Sequence, residues 1–145
     1  MRFVRASIFS AVLVLVGIAA TMGAPTAAAQ QPATQSSGPV WEIRTYIASS
    51  GKLDALHTRF RDHTIRIFAR HGIKSIAYWI PEDQRNTLVY IIQHESREAA
   101  AANWKAFLSD PEWVKVAEAS NVDGNIVARV DSYFATPADY SPLQP

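Results

Sequence analysis

The chain has 145 residues, with 14 Lys plus Arg against 13 Asp plus Glu, four His and no Cys. Without cysteine there is no disulfide framework, no thiolate metal site and no lipid-modified cysteine. The near balance of charge speaks against nucleic acid as a partner.

In chain order, residues 1–29 read as an export signal. Arg2 and Arg5 form a basic start, Ile8 to Ala20 is an apolar run broken by Ser10 and Gly17, and Ala27-Ala28-Ala29 offers a small-residue cleavage site. A retained anchor is the alternative, but a spanning helix needs about 20 apolar residues. Cleavage is therefore expected near Ala29, with the mature protein periplasmic or secreted and no stable membrane span. Residues 30–39, made mostly of Gln, Pro, Ala, Ser and Thr, read as a disordered leader. From Gln30 onward there are twelve Lys plus Arg and thirteen Asp plus Glu, a net charge of −1. The basicity of the whole chain thus belongs to its first residues.

The folded part is expected over residues 40–142. Val40 to Ile47 alternates as a strand does, with Glu42, Arg44 and Tyr46 on one face. Lys52 to His71 turns helical, placing Leu53, Leu56, Phe60 and Ile67 in one sector at about 100° per residue. Gly72 follows as a helix-ending glycine. Ile73 to Ile80 and Thr87 to His94 read as a hairpin around the loop 81–86. Ser96 caps a second helix with an apolar stripe of Ala100, Trp104, Phe107 and Leu108. Asp110 caps a short helix with Pro111 at its first position, and Ile126 to Phe134 is the last strand. The order β-α-β-β-α-(α)-β predicts an α+β, ferredoxin-like fold with an antiparallel sheet and one sheet face free of helices.

Few residues announce chemistry. His57, His63 and His71 share the first helix, but gaps of six and eight residues put no two in the i, i+4 register of a helical metal site; no metal is predicted. Arg59, Arg66 and Arg70 fall within about 40° on an ideal helical wheel, with His63 beside them at the edge of the apolar sector. That stripe is either a solvated cationic face, with Asp62 pairing with Arg66, or an anion-attracting rim in which His63 meets a ligand. On the first strand Arg44 and Tyr46 would hold an anionic or phenolic ligand, or else join a polar layer inside a barrel. In that layer Arg44 faces Asp131, or Glu42 faces Arg129, depending on strand register. Trp104 on the second helix is the aromatic wall for such a pocket.

These segments resemble the NIPSNAP family over almost the whole predicted domain. The residues that carry the likeness are Glu42, Arg44 and Tyr46, His71-Gly72-Ile73-Lys74, Tyr78-Trp79, Asn86-Thr87-Leu88-Val89-Tyr90, Trp104-Lys105-Ala106-Phe107, Asp110-Pro111-Glu112-Trp113 and Thr136 to Pro142. The resemblance implies a dimeric α/β barrel, in which the bare sheet face packs on a second copy to make a homodimer. No cofactor is predicted. Two functional classes follow: a small-molecule-binding or stress-related protein of the cell envelope, and a cofactor-independent enzyme of monooxygenase or isomerase type, or a haem-handling protein. In either class His63, Arg44, Tyr46 and Trp104 are the expected ligand contacts.

Overall fold

Four strands form one antiparallel sheet in the order β2-β3-β1-β4: β1 (Val40–Ala48), β2 (Lys74–Trp79), β3 (Thr87–His94) and β4 (Val127–Ala135). The computed structural model describes residues 38–143. The export segment and all but the end of the leader lie outside them. Helices α1 (Leu53–Arg59), α2 (Ile65–Arg70), α3 (Arg97–Leu108) and α4 (Pro111–Ser120) complete the ferredoxin-like βαββαβ order, with α4 as an added short helix. Among the described residues, no helix is long and apolar enough to cross a membrane.

The strand pairing decides what each face does. Arg44 lies opposite Tyr90 on β3 and Ser132 on β4, while Tyr46 lies opposite Leu88 and Val130. Directly opposed residues share a face, so Glu42, Arg44, Tyr46, Leu88, Tyr90, Ile92 and His94 all point toward the helices. There Leu56, Phe60, Ile67, Phe68 and Phe107 close over them as the core. Aromatic rings meet edge to face, with Phe60 5.2 Å from Tyr90 and Phe68 4.8 Å from Phe107, while Tyr78 stacks on Tyr90 at 5.4 Å.

This register overturns both strand pairings expected from the sequence. Asp131 is opposite Thr45 and Arg129 is opposite Ile47, one residue away from the expected alignment. Because side chains alternate, that single step sends Arg129 and Asp131 to the helix-free face, where they pair with each other at 3.0 Å. The layer of Glu42, Arg44 and Tyr46 accordingly lies beneath the helices and not on the bare side of the sheet. The bare face carries Ile43, Val89, Ile91, Trp79 and Tyr133, of which Tyr133 is 62% exposed. Residues 136–143 run beside its Trp41 end. Val127, by contrast, packs against the core.

The first helix is not regular. Between α1 and α2, Phe60–Thr64 is a π-helical segment in which the N–H of Ile65 reaches back five residues to the carbonyl of Phe60. Buried Thr64 donates its hydroxyl to the carbonyl of Arg59 at 3.1 Å, which secures the wide turn. One wide turn rotates everything after it relative to an ideal wheel. Ile67 and Phe68 are both buried, and the three arginines are parted: Arg59 turns inward at 7% exposure, while Arg66 and Arg70 face α4. The stripe of Arg59, Arg66 and Arg70 therefore does not exist as such. Leu108 likewise leaves the expected apolar stripe and is 59% exposed, since α3 ends there and the chain turns into Asp110.

Asp110 ties the two helical layers together. It caps α4 through the N–H groups of Glu112 (2.8 Å) and Trp113 (3.3 Å), and it also accepts from Arg70 (2.7 Å) and His71 (2.7 Å). Glu112 accepts from Arg70 at 3.0 Å and from Arg66, so Arg66 pairs across helices and not with Asp62. The hydrogen bond from His71, followed by those from Arg70 and the α4 N–H groups, holds the Asp110 carboxyl well below the usual range despite partial desolvation. Glu112 is lowered by Arg66 and Arg70. A carboxyl depressed in the folded state stabilises at pH above its unfolded value, about 4, and loses that contribution as pH falls through the folded value. Asp110→Asn keeps the cap but removes the charge. Its stability should therefore fall less steeply than the wild type's below about pH 4, as read from urea unfolding at stepped pH.

Candidate functional site

At the centre of the helix-facing side of the sheet lies a carboxylate that water barely reaches. Glu42 is 2% exposed, and β1, as a central strand, leaves it no route to the edge. A buried charge of this kind persists only when donors surround it. Three do so here. The indole N–H of Trp104 donates to Oε2 at 2.7 Å, His94 Nε2 lies 3.2 Å from the same oxygen, and Arg44 donates to Oε1. Burial alone would raise the pKa of Glu42, but hydrogen bonds from His94 and Trp104 and the charge of Arg44 outweigh it, and the net shift is downward. The carboxylate is ionised at neutral pH.

Each donor is itself placed by its element. Trp104 comes from the middle of α3, which starts where Ser96 accepts from the N–H of Ala99 at 3.1 Å. His94 ends β3, and its other ring nitrogen, Nδ1, is 3.4 Å from the side-chain amide nitrogen of Asn103. That amide also donates to the carbonyl of Gly72, at 3.1 Å. Gly72 has φ +70°, and a Cβ there would sit 3.2 Å from the Asn103 amide, so the helix end and the polar network constrain the same residue. With Asn103 donating to Nδ1, the Nε2 hydrogen of His94 points at Glu42.

Arg44 is more exposed than Glu42 and His94. Its guanidinium lies 4.4 Å from the Trp104 ring centroid and 5.5 Å from that of Tyr46, and a long contact of 3.4 Å joins it to the Tyr46 hydroxyl. Burial pulls its pKa down, but the neighbouring Tyr90, Tyr46 and Glu42 more than restore it, so the group is a permanent cation. Its side chain is 14% exposed and lies beside Ser132 on β4, a residue on the helix side of the sheet that stays exposed. Arg44 Nε, although buried, has no hydrogen-bond partner among the described residues, and the Tyr90 hydroxyl lies close to Arg44 and Tyr46 but makes no hydrogen bond of ordinary length. Burial raises the Tyr90 pKa well above the ordinary phenol value, so that hydroxyl remains a donor.

The structure thus brings three of the sequence-derived candidates, Arg44, Tyr46 and Trp104, into one cluster. It places His63 elsewhere. His63 lies in the π-helical segment and lines a hollow of about 570 Å³ shared with α4. Glu42, His94 and Asn103 were not singled out as site residues from sequence. The signal for the first two is parity: Glu42 shares a face with Arg44, and His94 shares one with Leu88, Tyr90 and Ile92. Asn103 carries no such signal.

The NIPSNAP family model matches residues 41–142, from the strand that bears this cluster to the segment after β4. The chain belongs to the NIPSNAP family. Among solved structures, a NIPSNAP family protein of unknown function from Agrobacterium tumefaciens is 24% identical with a TM-score of 0.65, covering 75% of this chain and 96% of its own. An uncharacterized NIPSNAP-like domain protein from Burkholderia xenovorans is 21% identical with a TM-score of 0.64, covering 75% and 93%. The same fold recurs in a putative antibiotic biosynthesis monooxygenase from Bacteroides thetaiotaomicron, at 15% identity and a TM-score of 0.54, covering 74% and 96%. No curated protein matches the chain.

Glu42 is the member on which the NIPSNAP domain's buried cluster turns. Glu42→Gln leaves Arg44 without its counter-charge and should cost on the order of 3 kcal/mol in urea unfolding. Trp104→Phe, which removes only the indole donor, should cost about 1–2 kcal/mol. The double variant should lose less than the sum, because both changes act on one carboxylate.

Proposed function

We propose that this NIPSNAP domain is an exported, non-catalytic binding protein for a small molecule with an anionic or phenolic oxygen. The reading is carried by Arg44 Nε, a buried donor that finds no acceptor among the described residues, with the Tyr90 hydroxyl beside it, close to Arg44 and Tyr46 but without a hydrogen bond of ordinary length. A buried donor without an acceptor costs about 1–3 kcal/mol, so retaining one on a buried cation suits a site that receives an oxygen from a ligand. Trp104 and Tyr46 supply flat aromatic walls and Ser132 marks the exposed flank.

The same geometry favours binding over turnover. General acid–base catalysis needs a group free to exchange a proton with substrate. Both ring nitrogens of His94 are occupied, by Glu42 and Asn103, and Glu42 accepts from three donors while lying out of contact with solvent. Export rests on the sequence features of residues 1–29. Assembly into a homodimer rests on the apolar residues of the helix-free face, Ile43, Val89, Ile91, Trp79 and Tyr133, which a second copy would cover.

Native mass spectrometry of the protein purified from its own compartment tests the binding reading by showing a retained small molecule. With that molecule as probe, Tyr90→Phe should change stability little, because it removes a hydroxyl without a hydrogen bond of ordinary length, and should weaken binding about tenfold. Affinity unchanged in Tyr90→Phe and in Arg44→Lys would remove the site. For the assembly, light scattering should give a dimer for the wild type and a monomer for Ile91→Arg, which places a charge on the covered face.

A further inference from the structure

A second cation is buried with less compensation than Arg44. Arg59 is 7% exposed, and among the described residues no carboxylate lies within ion-pair distance of it. One of its terminal nitrogens donates to the hydroxyl of Ser120 at 3.2 Å, its guanidinium lies 5.2 Å from the Trp113 ring, and its buried Nε has no partner. Burial lowers its pKa, and the nearby Tyr46 and Tyr90 restore only part of the loss. Removing a charge from water without an opposite charge costs several kcal/mol. The fold retains one at the start of the π-helical turn, a position that surface arginines would fill at no such cost.

Arg59 lines the hollow of about 570 Å³ between α1, the π-helical segment and α4. His63, Lys52 and Lys115 line it too, so three further basic residues border the hollow in which the arginine lacks a counter-ion. Asp123 also reaches the hollow from the turn after α4, but it makes no ion pair with Arg59. The remaining wall is largely apolar, with Val116 and Ile126 among its members. We propose that this hollow binds a small organic anion, with its charged oxygens held by Arg59, His63 and Lys115 and its apolar body against Val116 and Ile126. The chemistry recognised is an oxyanion on an apolar stem, shared by aryl carboxylates and aryl phosphates.

The test uses benzoate and phenyl phosphate as probes, each up to about 10 mM, where even millimolar affinity approaches saturation. At least one should raise the melting temperature of the wild type and shift the Arg59 Nε resonance in ¹H–¹⁵N spectra. A response to benzoate alone assigns a carboxylate, and one to phenyl phosphate alone assigns a phosphate. Arg59→Met keeps the aliphatic stem and removes the charge. It should melt at or above the wild-type temperature, as expected for loss of an uncompensated buried ion, and should not respond to either probe. Should Arg59→Met fail to fold, the double variant His63→Gln/Lys115→Gln carries the same test, with at least a tenfold weaker response expected. The proposal is overturned if neither probe shifts the wild type, or if the variants respond as the wild type does.

Discussion

The ionised carboxylate of Glu42 is the constraint around which the helix-facing half of the molecule is arranged. Placed on a central strand and covered by α3, it cannot be solvated, so it must be met by donors from every direction. It draws Arg44 from its own strand, His94 from β3 and Trp104 from α3. Through Asn103 and the Gly72 carbonyl, the same network reaches the end of the first helical stretch. An apolar residue at position 42 would pack with less electrostatic cost, and replacing buried ion pairs by hydrophobic residues is often neutral or stabilising. What the carboxylate supplies instead is a fixed orientation for Arg44 against Trp104.

The remaining cations sort by whether a carboxylate meets them. Arg66 and Arg70 reach Glu112 and Asp110 across the gap to α4, and Arg129 meets Asp131 on the sheet. Arg97 lies over the ring of Phe134 at 3.3 Å, where an aromatic face substitutes for an anion. Exposed pairs of this kind contribute little to stability individually. Asp110 differs because one carboxylate caps a helix and receives a histidine and an arginine at once, so its contribution comes from a network.

Much of this architecture was legible in the sequence because period and punctuation agree. Thr87 to His94 holds a short apolar, β-branched and aromatic run bounded by a loop and by a capping serine, and the strand occupies those residues. Asp110 followed by Pro111 and Glu112 is a helix start with a mechanism, and the helix begins there. The site was legible only in part. Arg44 and Tyr46 are visible as polar residues that alternate with Glu42 along one face of the strand, yet their pairing turned on a one-residue choice of register that local sequence does not encode. The π-helical turn was the larger obstacle. Phe60–Thr64 has no residue that breaks an α-helical pattern, and the extra residue is accommodated because Thr64 bonds to the Arg59 carbonyl in the folded core. A wheel drawn at a constant angle therefore grouped Arg59 with Arg66 and Arg70.

That misgrouping bears on how charge should be read in this fold. On a regular helix Arg59 would join a solvated stripe, and its charge would count toward a diffuse surface potential. Instead Arg59 ends α1 on its buried side, against Trp113 and Ser120, and the wide turn that follows rotates Arg66 and Arg70 away from it, so Arg59 is an interior cation. A π-turn persists only where tertiary contacts outweigh its poorer backbone bonding, and such turns concentrate at functional sites. Here the irregular turn and the uncompensated cation are adjacent in the chain, and the buried hydroxyl of Thr64 secures the one to the carbonyl of the other.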